Sequence, residues 1–360
     1  MIYFAFGQRS TTLLVVTRNS NVNICSLDIS KAFDRVNHYC LFSKLMSRRL
    51  PVSLIMLLYR WYNESSATVV WNGVRSSIYR LQAGVRQGGV LSPVFFAIFV
   101  NSVIIAVERS GLGCRIGFNC LSIIMYADDL LLISSSITHL KQLIDICISE
   151  FNKLDLAING KKSGCIRFGV NYANVCNDLV TKDATFSWTD CLNYLGNTLI
   201  SAKRFSVDLK PVRVKFYRSF NAIYGKISKA NESLIVSLMK TFCISTALYC
   251  LESLQLNISE LNKLDNMLFN AFFKIFKISD RNSLKICMYY LNFLPIKYEL
   301  VLRRIKFLFK CSQTENIIVS VCYKLIGSFE NECLCNDYKL NSNNSVKSCI
   351  WKVFHDGLIF

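Results

Sequence analysis

Acidic residues are scarce in this chain. Its 360 residues hold 24 Asp plus Glu against 42 Lys plus Arg, and the formal net charge of +18 favours a polyanionic partner, nucleic acid or an anionic membrane surface. Regular cysteine spacing is also missing. The 16 cysteines are scattered among apolar residues, as at Cys25, Cys147, Cys243 and Cys287, which excludes a disulfide-stapled small domain. They point instead to buried thiols in a reducing compartment, the cytoplasm or the nucleus. The opening MIYFAFGQRSTTLLVV shows no basic secretory leader and reads as an interior segment. Internal repeats and heptad arrays are absent. Apolar residues make up 52% of the chain, too many for a disordered one and enough for one large core or a few smaller units.

Two stretches carry open alternatives. Residues 90–107, VLSPVFFAIFVNSVIIAV, are apolar and long enough to raise a membrane span, and the mean hydropathy of +0.32 is high. Pro93, Asn101 and Ser102 interrupt the run and Glu108 with Arg109 ends it, which suits a buried helix with Pro93 in its first turn, so no membrane partner is expected. Late in the chain, Cys333 and Cys335 precede Cys349 and His355, residue types that bind zinc. Their spacing matches no usual structural zinc site, and unconnected thiols are the expectation.

Hydrophobic periodicity places the remaining elements. Ser10, Thr11 and Thr12 cap a short helix through Val16. NICSLDIS, residues 23–30, is a short apolar strand with Asp28 at its end. Residues 39–62 predict two helices around Pro51, and TVVWN and SIYRL flank Gly73 as a hairpin. GVRQGGVLSP, residues 84–93, is a glycine-rich loop of the kind that lets backbone N–H groups approach a phosphate or a base. Residues 138–154 form an amphipathic helix with Leu140, Leu143, Ile144, Ile148 and Phe151 on one face. Short strands follow around SGCIRFGV, after the basic turn NGKKS, and around NYLGNTLIS. From Val207 helical periodicity carries many Lys and Arg, placing a domain boundary near residue 203. Residues 328–348, rich in Asn, Ser and Asp, read as a loop or frayed tail.

The decapeptide MYADDLLLIS, residues 125–134, sets two adjacent carboxylates, Asp128 and Asp129, inside an apolar stretch. Each flank reads as a buried strand, with the acids at the turn. Neighbouring carboxylates taken out of water cost several kcal/mol and repel, so one protonates unless a cation neutralises them. An exposed Asp-Asp turn is the alternative. In order, the chain offers a strand ending in Asp28, a glycine loop with its helix, a strand–Asp128-Asp129–strand hairpin, a helix and a strand. This is an α+β, split β-α-β arrangement, an antiparallel sheet with helices on one face, in which the strand ends converge. Three acids on adjacent strands make one metal site, suited to phosphoryl transfer.

LDISKAFDRVNH, GVRQGGVLSP, MYADDLLLIS, LAINGKKS and NYLGNTLIS occur in the order of the palm motifs of reverse transcriptases and most resemble those of non-LTR (LINE-type) retrotransposons. A weaker likeness, to segments that follow the palm, continues in LYCLESLQL and LPIKYELVLRRIKFLFK. The resemblance implies a polymerase palm over residues 23–203, a remnant of fingers over 1–22, a helical thumb and connection over 204–327, and a polar tail over 328–360. It implies an RNA-directed DNA polymerase using an RNA template, a DNA primer, dNTPs and two Mg²⁺ ions, with Mn²⁺ as the alternative ion.

Carried over by position, Asp28, Asp128 and Asp129 become the metal-site acids, with the Ile29 carbonyl a further ligand. Phe33 becomes the ring that excludes a ribose 2′-hydroxyl, with an ordinary core Phe the alternative. Gln87 and Gly88 face nucleotide and template, Ser92 and Pro93 start the supporting helix, and Tyr194, Leu195 and Gly196 form the primer grip. Lys162 matches a lysine that assists pyrophosphate departure, a surface lysine being the alternative. Arg9, in QRSTT, is the surviving fingers contact. The rest of the fingers, an endonuclease domain and a clear zinc knuckle are missing, so a fragment or decayed copy is expected. The alternative function is a catalytically inactive nucleic-acid-binding remnant.

Overall fold

The computed structural model describes residues 21–254, 256–340 and 345–358. Arg9, the QRSTT segment and the helix expected after Ser10 lie outside the described residues. The chain divides into two compact units that meet in sequence at Leu195 and Gly196, and the boundary expected near residue 203 falls inside the second.

The first unit is built on a strand that is apolar because it is central. β1 (Val22–Asp28) pairs antiparallel with β3 (Asp129–Ser134) on one side and β4 (Gly164–Phe168) on the other, and β2 (Ile123–Tyr126) pairs beyond β3. Cys25 and Leu27 of β1, Leu130 and Leu132 of β3 and Cys165 of β4 share one buried cluster with the helices laid on that face. Those helices are α1 (His38–Ser47), α3 (Ser92–Arg109) and α4 (Ile137–Asn152), while α2 (Val52–Asn63) follows α1 across Pro51. Two helices around Pro51 follow from a residue that cannot continue a helix but opens one well.

Among the described residues α3 alone is long and apolar enough to cross a membrane. Its Phe95, Phe96, Phe99, Val103 and Val107 recur at helical spacing and lie in the core with Leu140, Leu143, Ile144 and Phe151 of α4. Each such side chain buried stabilises the fold by roughly 1.5–3 kcal/mol. Between α2 and α3 the chain makes a small hairpin, with Asn72 and Gly73 at its tip, both at positive φ.

The second unit is mainly helical, with a short strand pair, Asn197–Ile200 and Ser206–Asp208, at its start. Its core gathers Phe216 and Phe220 of α5 (Lys210–Ile227), Leu264, Leu268 and Phe272 of α6 (Ile258–Phe276), Leu284 and Met288 of α7 (Arg281–Tyr290) and Ile296 and Leu300 of α8 (Ile296–Ser312). A reciprocal cap starts α6: Glu260 N–H donates to Asn257 Oδ1 at 2.8 Å and Asn257 N–H to Glu260 Oε2 at 2.7 Å.

The loop or tail expected over 328–348 is instead mostly helical. α9 (Ser328–Asp337) and α10 (Val346–Asp356) occupy much of it and of the tail beyond. α9 lacks an apolar stripe, and a long-range ion pair holds it. Arg304, 8% exposed, donates to Glu330 through Nε at 2.9 Å and Nη2 at 2.6 Å, and through Nη1 to the Glu252 carbonyl at 2.9 Å. Glu330→Ala strands a buried guanidinium and is expected to lower stability by about 3–5 kcal/mol. Urea unfolding measures the loss, and amide exchange should show α9 losing protection first; the double variant Arg304→Met with Glu330→Leu should regain most of it.

Candidate active site

Strand register brings two of the three acids together. Asp28 ends β1 directly opposite Asp129, which begins β3. Tyr126 also pairs with Asp129, so β2 and β3 are joined by the two-residue turn Ala127-Asp128. Ala127 sits at φ +53°, a left-handed conformation that costs an L-residue about 1–2 kcal/mol. This tight turn leaves Asp128 exposed, while Asp28 and Asp129 are half-buried. Paired residues share a face, and alternation puts Asp28, Asp129 and Tyr126 on the opposite face from Leu27 and Leu130.

Burial, then the charges of Asp128 and Asp28, push the Asp129 carboxyl above the ordinary carboxylate range. Mutually repelling carboxylates with hard oxygen donors suit a divalent cation, whose charge offsets the repulsion. Among the described residues no three His, Cys, Asp or Glu side chains are gathered closely enough to hold an ion. Asp28 and Asp129 therefore face each other with Asp128 on the adjoining turn, without closing into a three-carboxylate cage. Cys333, Cys335, Cys349 and His355 do not assemble into a site either.

A distant loop fixes the end of β1. Asp28 N–H donates to Ser163 Oγ at 3.0 Å, Ser163 Oγ–H donates to the Asn159 carbonyl at 2.8 Å, and Asn159 N–H donates to the Asp28 carbonyl at 2.8 Å. Ser30 N–H reaches the Ala157 carbonyl at 2.8 Å, and Ile29 bridges to Ile158. Lys162 is exposed on the same turn, its N–H bonded to the Asn159 carbonyl at 3.2 Å.

The glycine loop is tied to the residues just after β1. Gly84 N–H donates to the Val36 carbonyl and Val85 N–H to the Phe33 carbonyl, both at 2.8 Å. Gly84 has φ +93°, and a Cβ there would meet the Asp34 carbonyl oxygen at 2.8 Å, so close backbone approach requires glycine. His38 Nε2 lies 2.7 Å from the Gly84 carbonyl. Gln87 donates through Nε2 to Asp34 Oδ1 at 3.3 Å, with Gly88 exposed beside it. Ser92 Oγ–H closes the loop onto the Arg86 carbonyl at 2.5 Å. Phe33 is half-buried and stacks on Phe96 with ring centroids 4.7 Å apart.

Farther on, NYLGNTLIS is two short strands, not one: Cys191–Tyr194 and Asn197–Ile200 flank a turn at Leu195 and Gly196, both at positive φ. Tyr194 is buried, and burial together with the Asp129 charge raises its phenol above the ordinary range. Ser163 and Asp34 were not singled out in the sequence. Ser163 was signalled only by its place between a basic turn and a strand, and Asp34 by nothing apart from the motif that contains it.

The model for reverse transcriptase (RNA-dependent DNA polymerase) matches residues 3–199. A retrovirus-related Pol polyprotein from the type-2 retrotransposable element R2DM of Drosophila melanogaster is 26% identical over 169 residues, 46% of this chain and 16% of that protein. An RNA-directed DNA polymerase from the mobile element jockey of Drosophila funebris is 26% identical over 227 residues, 61% of this chain and 24% of that protein. The chain thus spans less than a quarter of the length of either relative. Among solved structures, a Candida tropicalis telomerase in complex with a fragment of telomeric RNA aligns at TM-score 0.42 and 12% identity, over 93% of this chain and 49% of that one.

Ser163→Ala leaves the Asp28 N–H without its acceptor and is expected to cost about 1–2 kcal/mol in urea unfolding. Ala127→Gly removes the left-handed strain and should raise stability by about 0.5–1 kcal/mol in the same measurement. A fall would show that the turn is not strained at Ala127.

Proposed function

The chain belongs to the reverse transcriptase (RNA-dependent DNA polymerase) family, and from that membership we propose that it extends a DNA primer on an RNA template with dNTPs. Its sequence relatives are a Pol polyprotein of a retrotransposable element and an RNA-directed DNA polymerase of a mobile element, and the chain is read as the palm and thumb portion of a non-LTR retrotransposon polymerase. One observation carries the reading: Asp28 and Asp129 stand opposite at the open end of an apolar ladder, with Asp128 on the adjoining turn. The non-catalytic nucleic-acid-binding alternative is not favoured. The cytoplasm or nucleus is the proposed compartment.

Reverse transcriptases as a family use divalent metal ions. Here Asp28, Asp128 and Asp129, with the Ile29 carbonyl, are the residues that would hold Mg²⁺. When bound, such ions supply positive charge for phosphoryl transfer. The chain's own groups do the positioning. Ser163 and Asn159 hold the end of β1, so Asp28 keeps its place opposite Asp129. Phe33, packed on Phe96, offers a fixed ring against which a deoxyribose fits and a 2′-hydroxyl crowds. Asp34 orients the Gln87 amide, and Gly88 leaves space for a base or sugar. Tyr194, whose phenol feels the Asp129 charge, forms with Leu195 and Gly196 the proposed primer grip, and Lys162 is the proposed partner of the departing pyrophosphate.

Primer extension on an RNA template is the test. Asp28→Asn, Asp128→Asn and Asp129→Asn should each reduce incorporation by about 100-fold or more, the scale on which charge-stabilising groups act. Phe33→Ala should spare dNTP incorporation and admit ribonucleotides. Activity that survives Asp128→Asn would overturn the acid assignment, and unchanged ribonucleotide discrimination in Phe33→Ala would overturn the gate.

A further inference from the structure

The helical unit holds a cleft that the polymerase reading leaves unused. It measures about 570 Å³ and is lined by Tyr289, Tyr290, Asn292, Trp351, Lys352 and His355, from the end of α7, the turn after it and the second half of α10. It is an open cleft and not an enclosed cavity, of a width that admits part of a strand.

Rings dominate the lining, and Tyr289 is their hub. Its centroid lies 5.7 Å from Tyr290, 5.1 Å from His355, 6.0 Å from Trp351 and 6.4 Å from Phe354. Phe354 is 2% exposed, which anchors the cluster to the core. Tyr290 is 80% exposed and presents its ring to solvent at the mouth. Aromatic faces that are held rigid yet left open are platforms for stacking, because little side-chain freedom remains to be lost on binding.

Charge and hydrogen bonding narrow the ligand. Lys352 is the cation in the lining, which includes no carboxylate. The nearest carboxylate on that helix, Asp356, follows His355 in sequence and lies 3.5 Å from His355 Nδ1, outside the lining. Lys240 donates to the Asn292 carbonyl at 2.8 Å and adds a second ammonium beside this wall. A quaternary ammonium would be repelled by these cations, whereas a phosphate is attracted. The Asn292 side-chain amide offers both a donor and an acceptor, the complement of a base edge. We propose that this cleft binds one unpaired nucleotide of a single-stranded nucleic acid, its base stacked on Tyr290 and Trp351 and its phosphate paired with Lys352. The cleft lies within the helical unit, so the inference does not rest on the catalytic reading.

The test uses the full chain with 5-iodouridine-substituted single-stranded RNA of about 12 nucleotides, a length within reach of known single-strand sites. Photocrosslinks are expected at Tyr290, Trp351 or His355. Tyr290→Ala should weaken binding about 5- to 50-fold, the scale of one lost base stack, while leaving affinity for fully duplex RNA unchanged. Lys352→Gln should lower the slope of log affinity against log salt by about 0.7, the share of one phosphate contact on a single strand. Both side chains are exposed, so circular dichroism should match the wild type. Single-stranded DNA of the same sequence should show the same losses if base and phosphate are read, and losses confined to RNA would support the site with a 2′-hydroxyl contact added. Unchanged affinity in both variants, with crosslinks confined to residues 21–195, would overturn this site while leaving the polymerase reading in place. Crosslinks at Tyr290 in a chain that fails to extend primers would uphold the site and count against that reading.

Discussion

The pairing of Asp28 with Asp129, at the end of a ladder otherwise made largely of apolar pairs, is the constraint on which the rest depends. Charge cannot be placed farther inside, where Leu27 faces Leu130 and Cys25 faces Leu132. A slip of one residue would turn Leu130 and Leu132 away from Phe96, Phe99 and Leu143 and carry Asp129 toward the core. Hydrophobic packing on one face of the sheet thereby sets the geometry of carboxylates on the other. The site inherits its order from a core that has no chemistry of its own.

Local bonds then hold what register has placed. The 157–163 loop grips both backbone groups of Asp28, and the Gly84 loop closes on the residues just after the same strand. The β1 side is bonded in place, whereas Asp128 stands exposed on a strained two-residue turn. A site built this way has one bonded wall and one open edge. The raised Asp129 carboxyl is the electrostatic counterpart, since burial first, and then the charges of Asp128 and Asp28, disfavour its ionised form.

The helical unit answers a different requirement. A strongly basic chain must spread its charge over surfaces that also pack, and Arg304 is one of its exceptions, a guanidinium taken inside and matched by Glu330 and a carbonyl. Around Tyr289 the same unit leaves rings and ammonium groups facing outward together. Groups that attract phosphate and stack on bases are thus gathered within the unit that does not hold the acids.

Much was legible in residue order. Helical spacing on either side of Pro51, the Pro93-led apolar helix and the apolar flanks of the acid pair needed only local propensity and burial, and each formed near its expected position. Long-range contacts were not legible: Ser163 under Asp28, Asp34 beside Gln87 and Tyr194 near Asp129 are partners 135, 53 and 65 positions apart, and no local pattern encodes them. Nor was α9, whose SFENECLCND has the composition of a loop and which is held by the Glu330 pair with Arg304 and by Leu334 packed on the core. The sequence by itself determined which segments are buried and where acids interrupt them, because periodicity and the cost of burying charge act within a few residues. Tertiary structure alone decided which acids face each other and what holds them there, because cross-strand register and the closure of distant loops exist only once the core has packed.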